Sequence, residues 1–220
     1  ANVSQLLKKR IISMSRTLEY KALLFDLGGV VLRLNPERVL RIWSNYGDAE
    51  FTEVASKWQI GEPYKLHEIG EINFIQLTNH LANLLGIEMT QDQWLTGWNA
   101  LFDGVFEDVV DRLALIAHKM PIYAYTNTNR EHSDVWSLRY AEELSSFKRI
   151  YVSSEIHKRK PDISSFQWVA ENMGYSERDI FFFDDNVENI MGAKRAGMHA
   201  QHVDDPQITA SVLDKIILTL

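Results

Sequence analysis

The chain has 220 residues, a formal net charge of −7 and no cysteine. That length suffices for one substantial core plus a small insertion and is short for two independent domains. The negative balance argues against nucleic acid as the main partner, the missing cysteines exclude disulfides and a Cys-type zinc site and suit a reducing cytoplasm, and no apolar run reaches the ~20 residues of a membrane helix.

Residues 1–20 read as an N-terminal extension. Leu6, Leu7, Ile11, Ile12 and Met14 surround Lys8, Lys9 and Arg10 with no acidic residue before Glu19, the pattern of a short basic amphipathic helix. An added leader or an extension packed on the core, with Met14 as the natural start, accounts for it more simply than a transit-like segment or a membrane-surface anchor.

The run Ala22–Leu32 then places one carboxylate, Asp26, at the end of an apolar strand-like segment, directly followed by Gly28 and Gly29. An uninterrupted apolar run is the mark of a strand buried on both faces, and ligands of open α/β sheets bind at the carboxyl ends of such strands. The glycines allow a sharp turn and a close approach of backbone to a ligand.

From Pro36 to Met120 the spacing predicts helices near Glu37–Tyr46, Glu50–Gln59, Asn73–Leu85, Gln91–Trp98 and Glu107–His118. A parallel crossover needs only about a dozen residues, so the excess implies an inserted helical element. Trp43, Trp58, Trp94 and Trp98 fall there at helical spacing and are read as its core, with His67, Glu68 and Glu71 on a loop between its helices.

From Pro121 strands and helices alternate: strands Ile122–Tyr125, Ile150–Val152, Ile180–Phe183 and Met198–His202, with helices near Arg130–Leu138, Ile163–Met173, Val187–Ala196 and Pro206–Leu218. This is an α/β pattern with a doubly wound, mostly parallel sheet. Polar residues follow the strand-like runs: Thr126 and Asn127 after one, Asp184 and Asp185 after another, with Lys160 between them in sequence. Singly, each reads as a helix cap or a solvated turn. Together they would converge at one edge of the sheet. His132 has no partner at metal-ligand spacing and is read as structural.

These four clusters, in this order, resemble the motifs of the haloacid dehalogenase superfamily of hydrolases, over about Lys21 to Val203. The phrases TNTNR (Thr126–Arg130), RKPD (Arg159–Asp162) and FFDDNVENI (Phe182–Ile190), with Arg38–Trp43 and His67–Phe74, resemble the branch of α-D-glucose-1-phosphate phosphatases and the phosphatase domain of epoxide hydrolases. The resemblance implies a Rossmann-like core over residues 21–35 and 103–220 and a small helical cap over residues 36–102.

A phosphate monoester is dianionic, so a carboxylate attacks it only where cations neutralise the site. Asp26 and Asp185 would repel each other without a divalent ion, and Mg²⁺ suits carboxylates, carbonyls and substrate phosphate. The resemblance implies that Asp26, the carbonyl of Gly28 and Asp185 hold Mg²⁺ with Asp184 close by, and Asn189 is expected to orient Asp185 from one helical turn along. Asp26 would be the nucleophile and form an aspartyl-phosphate. Lys160 would be the counter-charge, and Lys160, Thr126 and the Asn127 backbone N–H would bind the phosphoryl group. His67 and Glu68 are the candidates for substrate specificity.

One departure stands out. The family's first motif usually carries a second Asp that protonates the leaving group, and here that position is Gly28. The expected activity is hydrolysis of a small phosphorylated metabolite with a good leaving group, such as a sugar 1-phosphate or an aryl or acyl phosphate. The competing readings are a halide-removing hydrolase and a non-catalytic phosphate-binding relative.

Overall fold

In the computed structural model, which describes residues 19–220, strand β1 (Ala22–Phe25) is buried along its whole length. Leu23 and Phe25 pack into one apolar layer with Val109, Leu113 and Leu213, and Ala22 and Leu24 into another with Phe166, Val169 and Ile190. A strand covered by helices on both faces must be apolar at every position, which is why the sequence shows no alternation there. The basic segment Asn2–Thr17 lies outside the described residues.

After a turn at Gly28 and Gly29, strand β2 (Leu32–Leu34) forms an antiparallel ribbon with β3 (Phe102–Val105). Between those two strands lie helices α1 (Pro36–Tyr46), α2 (Phe51–Lys57), α3 (Glu62–Glu68), α4 (Phe74–Leu85) and α5 (Gln91–Asn99). They bury a third apolar cluster of their own, with Trp43, Leu77, Leu81, Trp94 and Trp98 at its centre. Trp43 is fully buried and its indole donates to the carbonyl of Trp94. Its ring stacks on Trp98 at 5.9 Å, so Trp43, Trp94 and Trp98 are core, as the spacing predicts, whereas Trp58 is half-buried at the edge of the cluster. Helices α4 and α5 begin with reciprocal caps, Asn73 with Gln76 and Thr90 with Gln93, each satisfying two otherwise unpaired donors.

Helix α6 (Glu107–Ala117) returns the chain to the sheet as β4 (Ile122–Thr126), followed by α7 (Arg130–Arg139), β5 (Ile150–Val152), α8 (Ser153–Ile156) and α9 (Ile163–Met173). Strand β6 (Ile180–Asp184), α10 (Val187–Ala196), β7 (His199–His202) and α11 (Pro206–Ile217) complete it. The sheet order is β5-β4-β1-β6-β7, with every neighbouring pair parallel. The predicted strands and helices are all present, Ile150–Val152, Ile163–Met173 and Val187–Ala196 to the residue and the others with ends shifted by one or two residues. Three short features differ from expectation: the β2–β3 ribbon, α8, and α3, which occupies the segment read as a loop. No helix among the described residues is long and apolar enough to cross a membrane.

Candidate active site

The chain leaves β1 for β4 on one side and later returns to β6 on the other, so the carboxyl end of β1 is the switch point of the sheet, where open α/β sheets form a crevice. Asp26 is the first residue beyond β1. Phe25 is in register with Phe183, which brings Asp26 level with Asp184, and the Asp26 N–H donates to the carbonyl of Phe183 at 2.8 Å. Phe25 is also in register with Ala124, so Thr126, the buried last residue of β4, ends at the same edge.

Lys160 reaches this edge from the loop between α8 and α9. It is 1% exposed, lies against the faces of Tyr125 and Phe182, and its ammonium stands 2.9 Å from Asp26 Oδ1 and 2.7 Å from Asp184 Oδ2. Burial opposes the charge on Lys160, but Asp184 and Asp26 overcome it and push the ammonium above its ordinary range. The lysine's backbone is fixed by Asn127, whose Oδ1 accepts from the Lys160 N–H at 2.9 Å while its Nδ2 donates to the Lys160 carbonyl at 3.0 Å.

Oxygens of Asp26, Asp184 and Asp185 all come within 4.8 Å of one another. Burial pushes the Asp26 carboxyl well above its ordinary range; Lys160 opposes the shift and Asp184 adds to it. Asp185 is raised as well, by partial withdrawal of its carboxylate from water and then by Asp184. When all three are ionised, one ammonium leaves two negative charges uncompensated, the amount a divalent cation would cancel. The donor set therefore fits a hard divalent ion.

The two neighbouring acids differ. Asp184 is fully buried and its oxygens are engaged: Oδ1 accepts from the Asn186 N–H at 2.8 Å, Oδ2 pairs with Lys160, and Asn189 Nδ2 reaches both oxygens at 3.1 Å. Asn189 thus orients Asp184, not Asp185 as expected. The reason is that α10 begins only at Val187, so Asp185 is not part of the helix and four-residue spacing does not apply to it. Asp185 is exposed, and its backbone carbonyl is 2.8 Å from His202 Nε2. Its carboxylate leans over Gly29, where φ is +77° and a Cβ would collide with Asp185 Oδ2. That close approach requires glycine at position 29. At Gly28 a Cβ would meet only the end of the Leu34 side chain, at 2.9 Å.

His67 and Glu68 lie on α3, and both are buried. Arg159 Nε and Nη2 donate to Glu68 Oε2 at 3.1 and 2.8 Å, and Ser153 Oγ donates to the Glu68 carbonyl at 2.6 Å while accepting from the Thr128 N–H at 2.8 Å. Burial raises the Glu68 carboxyl against the opposing pull of Arg159. His67 Nε2 is 3.0 Å from Glu131 Oε2, and although burial works against it, His67 holds the Glu131 carboxyl below its ordinary range. Glu68 therefore fastens the helical insertion to Ser153 at the start of α8 and to Arg159 beside Lys160, and His67 lies against Glu131 in the first turn of α7. A third fastening joins Trp98 to α7. Asn129 Oδ1 accepts from the Trp98 indole at 3.2 Å and from the His132 N–H at 3.0 Å, and the His132 ring stacks on Trp98 at 4.6 Å. His132 Nε2 donates to the Trp98 carbonyl at 2.9 Å and Nδ1 accepts from Asn129 Nδ2 at 3.2 Å, so the neutral ring is satisfied at both nitrogens. The sequence reading missed Asn129 and Arg159; their partners lie 31 and 91 residues away, beyond any local rule.

A family profile described as haloacid dehalogenase-like hydrolase matches residues 20–197. A D-ribitol-5-phosphate phosphatase of Bacteroides thetaiotaomicron is 22% identical over 185 residues, covering 80% of this chain and 88% of that protein. A sesquiterpene phosphatase of Aspergillus oryzae is 24% identical over 206 residues, covering 90% and 97%. Among solved structures, a family enzyme of Bacteroides thetaiotaomicron in complex with magnesium and inorganic phosphate superposes with a TM-score of 0.71 at 26% identity, covering 83% of this chain and 93% of that one.

Proposed function

The chain belongs to the haloacid dehalogenase-like hydrolases, and on that basis we propose that it is a Mg²⁺-dependent phosphomonoester hydrolase of a small phosphorylated metabolite, working through an aspartyl-phosphate. The observation that carries this reading is the buried Lys160 ammonium set between Asp26 and Asp184, beside a third carboxylate with no cationic side chain of its own among the described residues. Asp26, Asp185 and the carbonyl of Gly28 would hold Mg²⁺, with Asp184 behind them holding Lys160. When bound, the ion supplies the positive charge that lets a dianionic phosphate approach a carboxylate.

Asp26 attacks phosphorus with one carboxylate oxygen, the bond from phosphorus to the ester oxygen breaks, and the leaving group departs with the electron pair. Lys160 holds the nucleophile in place and draws the phosphoryl oxygens, aided by the Thr126 hydroxyl and the Asn127 N–H. The Asn127 side chain keeps the lysine's peptide fixed while this happens. Water then hydrolyses the aspartyl-phosphate and restores Asp26. The phosphatase names of two relatives, and the magnesium and phosphate of a structural neighbour, support the same reaction.

The test is hydrolysis of p-nitrophenyl phosphate with and without Mg²⁺, beside 2-chloropropionate, for the wild type and Asp26→Asn. Mg²⁺-dependent release of nitrophenol that Asp26→Asn abolishes is the expected result. Chloride release without metal would replace the reading with a dehalogenase, and phosphate binding without turnover would leave a non-catalytic relative.

A further inference from the structure

An apolar cavity of about 230 Å³ lies where the helical insertion meets the β2–β3 ribbon, walled by Leu34, Leu40, Trp58, Ile60, Tyr64 and Trp98. Its rim is left uncovered: Ile60 is 60% exposed and Leu34 38%. Leu34 also touches the site, since its Cδ1 is 2.9 Å from where a Gly28 Cβ would stand. Leu34 is therefore the wall residue that stands between the cavity and the loop that carries Gly28. On the far side, Trp98 is bonded to Asn129, three residues beyond Thr126. A cavity of about 150 Å³ with apolar walls takes up benzene, so this one has room for a one- or two-ring aromatic group.

The leaving oxygen adds a second, independent constraint. Position 28 offers no side chain to give it a proton. A phenol is acidic near pH 10, whereas water, and by analogy a simple alcohol, is a far weaker acid. A phenoxide therefore depends far less on an acid to leave than an alkoxide does.

We infer that the substrate is an aryl phosphate, a phosphate monoester whose planar aromatic leaving group lies in the cavity between Leu34, Trp58 and Trp98. This rests on the phosphatase reading above and narrows it. The phosphoryl group sits at Asp26 and Lys160, the ester oxygen passes over Gly28, and the ring enters beside Leu34 against the tryptophan and tyrosine faces. Asp26 forms the new bond to phosphorus, and the phosphorus–oxygen bond to the ring breaks. The phenoxide takes the electron pair and picks up a proton from solvent. A polyol phosphate would instead leave most of its hydroxyls facing apolar walls, where the lining side chains offer little beyond the Tyr64 hydroxyl to bond them, the His132 ring being engaged with Trp98 and Asn129.

Acetyl phosphate, which has no ring, separates the two readings. With Mg²⁺ present, the wild type and Ile60→Asp are compared for turnover of acetyl phosphate, 1-naphthyl phosphate, n-hexyl phosphate and glucose 6-phosphate. Inhibition of acetyl phosphate turnover by 1-naphthylmethylphosphonate and by methylphosphonate is measured alongside. Ile60 is exposed and takes no part in the hydrogen bonds of the acids, so the variant is expected to fold and to hydrolyse acetyl phosphate as before. The naphthyl phosphonate should inhibit at least tenfold more tightly than the methyl one, and Ile60→Asp should erase most of that difference. The kcat/KM order should be naphthyl, then hexyl, then glucose phosphate. Turnover of acetyl phosphate with equal inhibition by the two phosphonates, or with glucose or hexyl phosphate preferred, would overturn the aryl assignment and leave the phosphatase reading standing. Failure to hydrolyse any of them would remove the phosphatase reading and this inference with it.

Discussion

Gly28→Asp supplies the acid that this site lacks, and its effect separates the two half-reactions. The backbone at Gly28 is outside the left-handed region, so an aspartate is sterically admissible, and its Cβ would press on Leu34 Cδ1 at 2.9 Å and Cγ at 3.7 Å. Leu34 is 38% exposed and can turn toward solvent. A displaced rotamer costs about 0.5–1.5 kcal/mol, which at about 2–4 °C per kcal/mol for a protein of this size lowers Tm by roughly 1–6 °C. Proton donation to an alkoxide is worth ~10²–10⁴-fold. The assay is kcat/KM, which reports only steps through departure of the leaving group, measured for n-hexyl phosphate and p-nitrophenyl phosphate. The alkyl value should rise by at least about 100-fold and the aryl value by less than about tenfold. Since the same carboxylate can take a proton from the water that attacks the aspartyl-phosphate, kcat rises for both. Equal gains in kcat/KM would refute the argument that the missing acid selects the leaving group.

Lys160→Met leaves buried Asp26 and Asp184 without their shared cation; breaking such a pair costs about 3–5 kcal/mol, so calorimetry should show Tm falling by roughly 6–20 °C, turnover should vanish, and an unchanged Tm would contradict the pairing. Gly29→Ala places a methyl against Asp185 Oδ2 in a left-handed backbone; titration calorimetry should show weaker Mg²⁺ binding together with a stability loss of about 1–2 kcal/mol, and unaltered binding would remove Asp185 from the ion's ligands. His132 is pushed down to about 4, chiefly by burial, with the Trp98 carbonyl and Glu131 opposing and His67 reinforcing the shift. The unfolded chain therefore takes up a proton near pH 6.5 that the folded protein refuses until about pH 4. Stability is complete above ~6.5 and declines on acidification by roughly 3 kcal/mol across that window. Urea unfolding of the wild type should show this slope, and His132→Gln should flatten it; an equal slope in the variant would assign the loss to other groups.

Strands β1 and β6 were legible because they are buried on both faces: Ala22–Phe25 is an apolar run followed by Asp26, and Ile180–Asp184 is one that ends in an acid. Helix α9, Ile163–Met173, was legible to the residue because Asp162 caps it and Gly174, at φ +78°, closes it. Short elements held by distant partners were not. Strand β2 has three residues and its partner β3 is about 70 positions away, so nothing local marks either of them as a strand. Helix α3 has seven residues beginning Glu62-Pro63, between Gly61 and a turn at Gly70, and reads as punctuation. At the site, the residue types and the edge they share follow from the order of the strand ends, whereas bonding depends on side-chain reach. Asn189 shows the difference: its helical phase was readable, but the strand-end acid it grips was not. The acids and the lysine were visible in the sequence as isolated residues, while the amide of Asn127 looked like a helix cap and proved to hold the lysine's peptide.

The central position of β1 has a consequence for synthesis. The strand that carries Asp26 emerges first, yet its neighbours β4 and β6 come from the middle and the last third of the chain. A nascent or truncated polypeptide that stops before Ile180 has an open hydrogen-bonding edge on its most apolar strand, along which other copies can stack. Pairing over such separations is slow. Fragments ending short of β6 should therefore collect in inclusion bodies, and productive folding of the whole chain should wait for β6 and the segment after it to leave the ribosome.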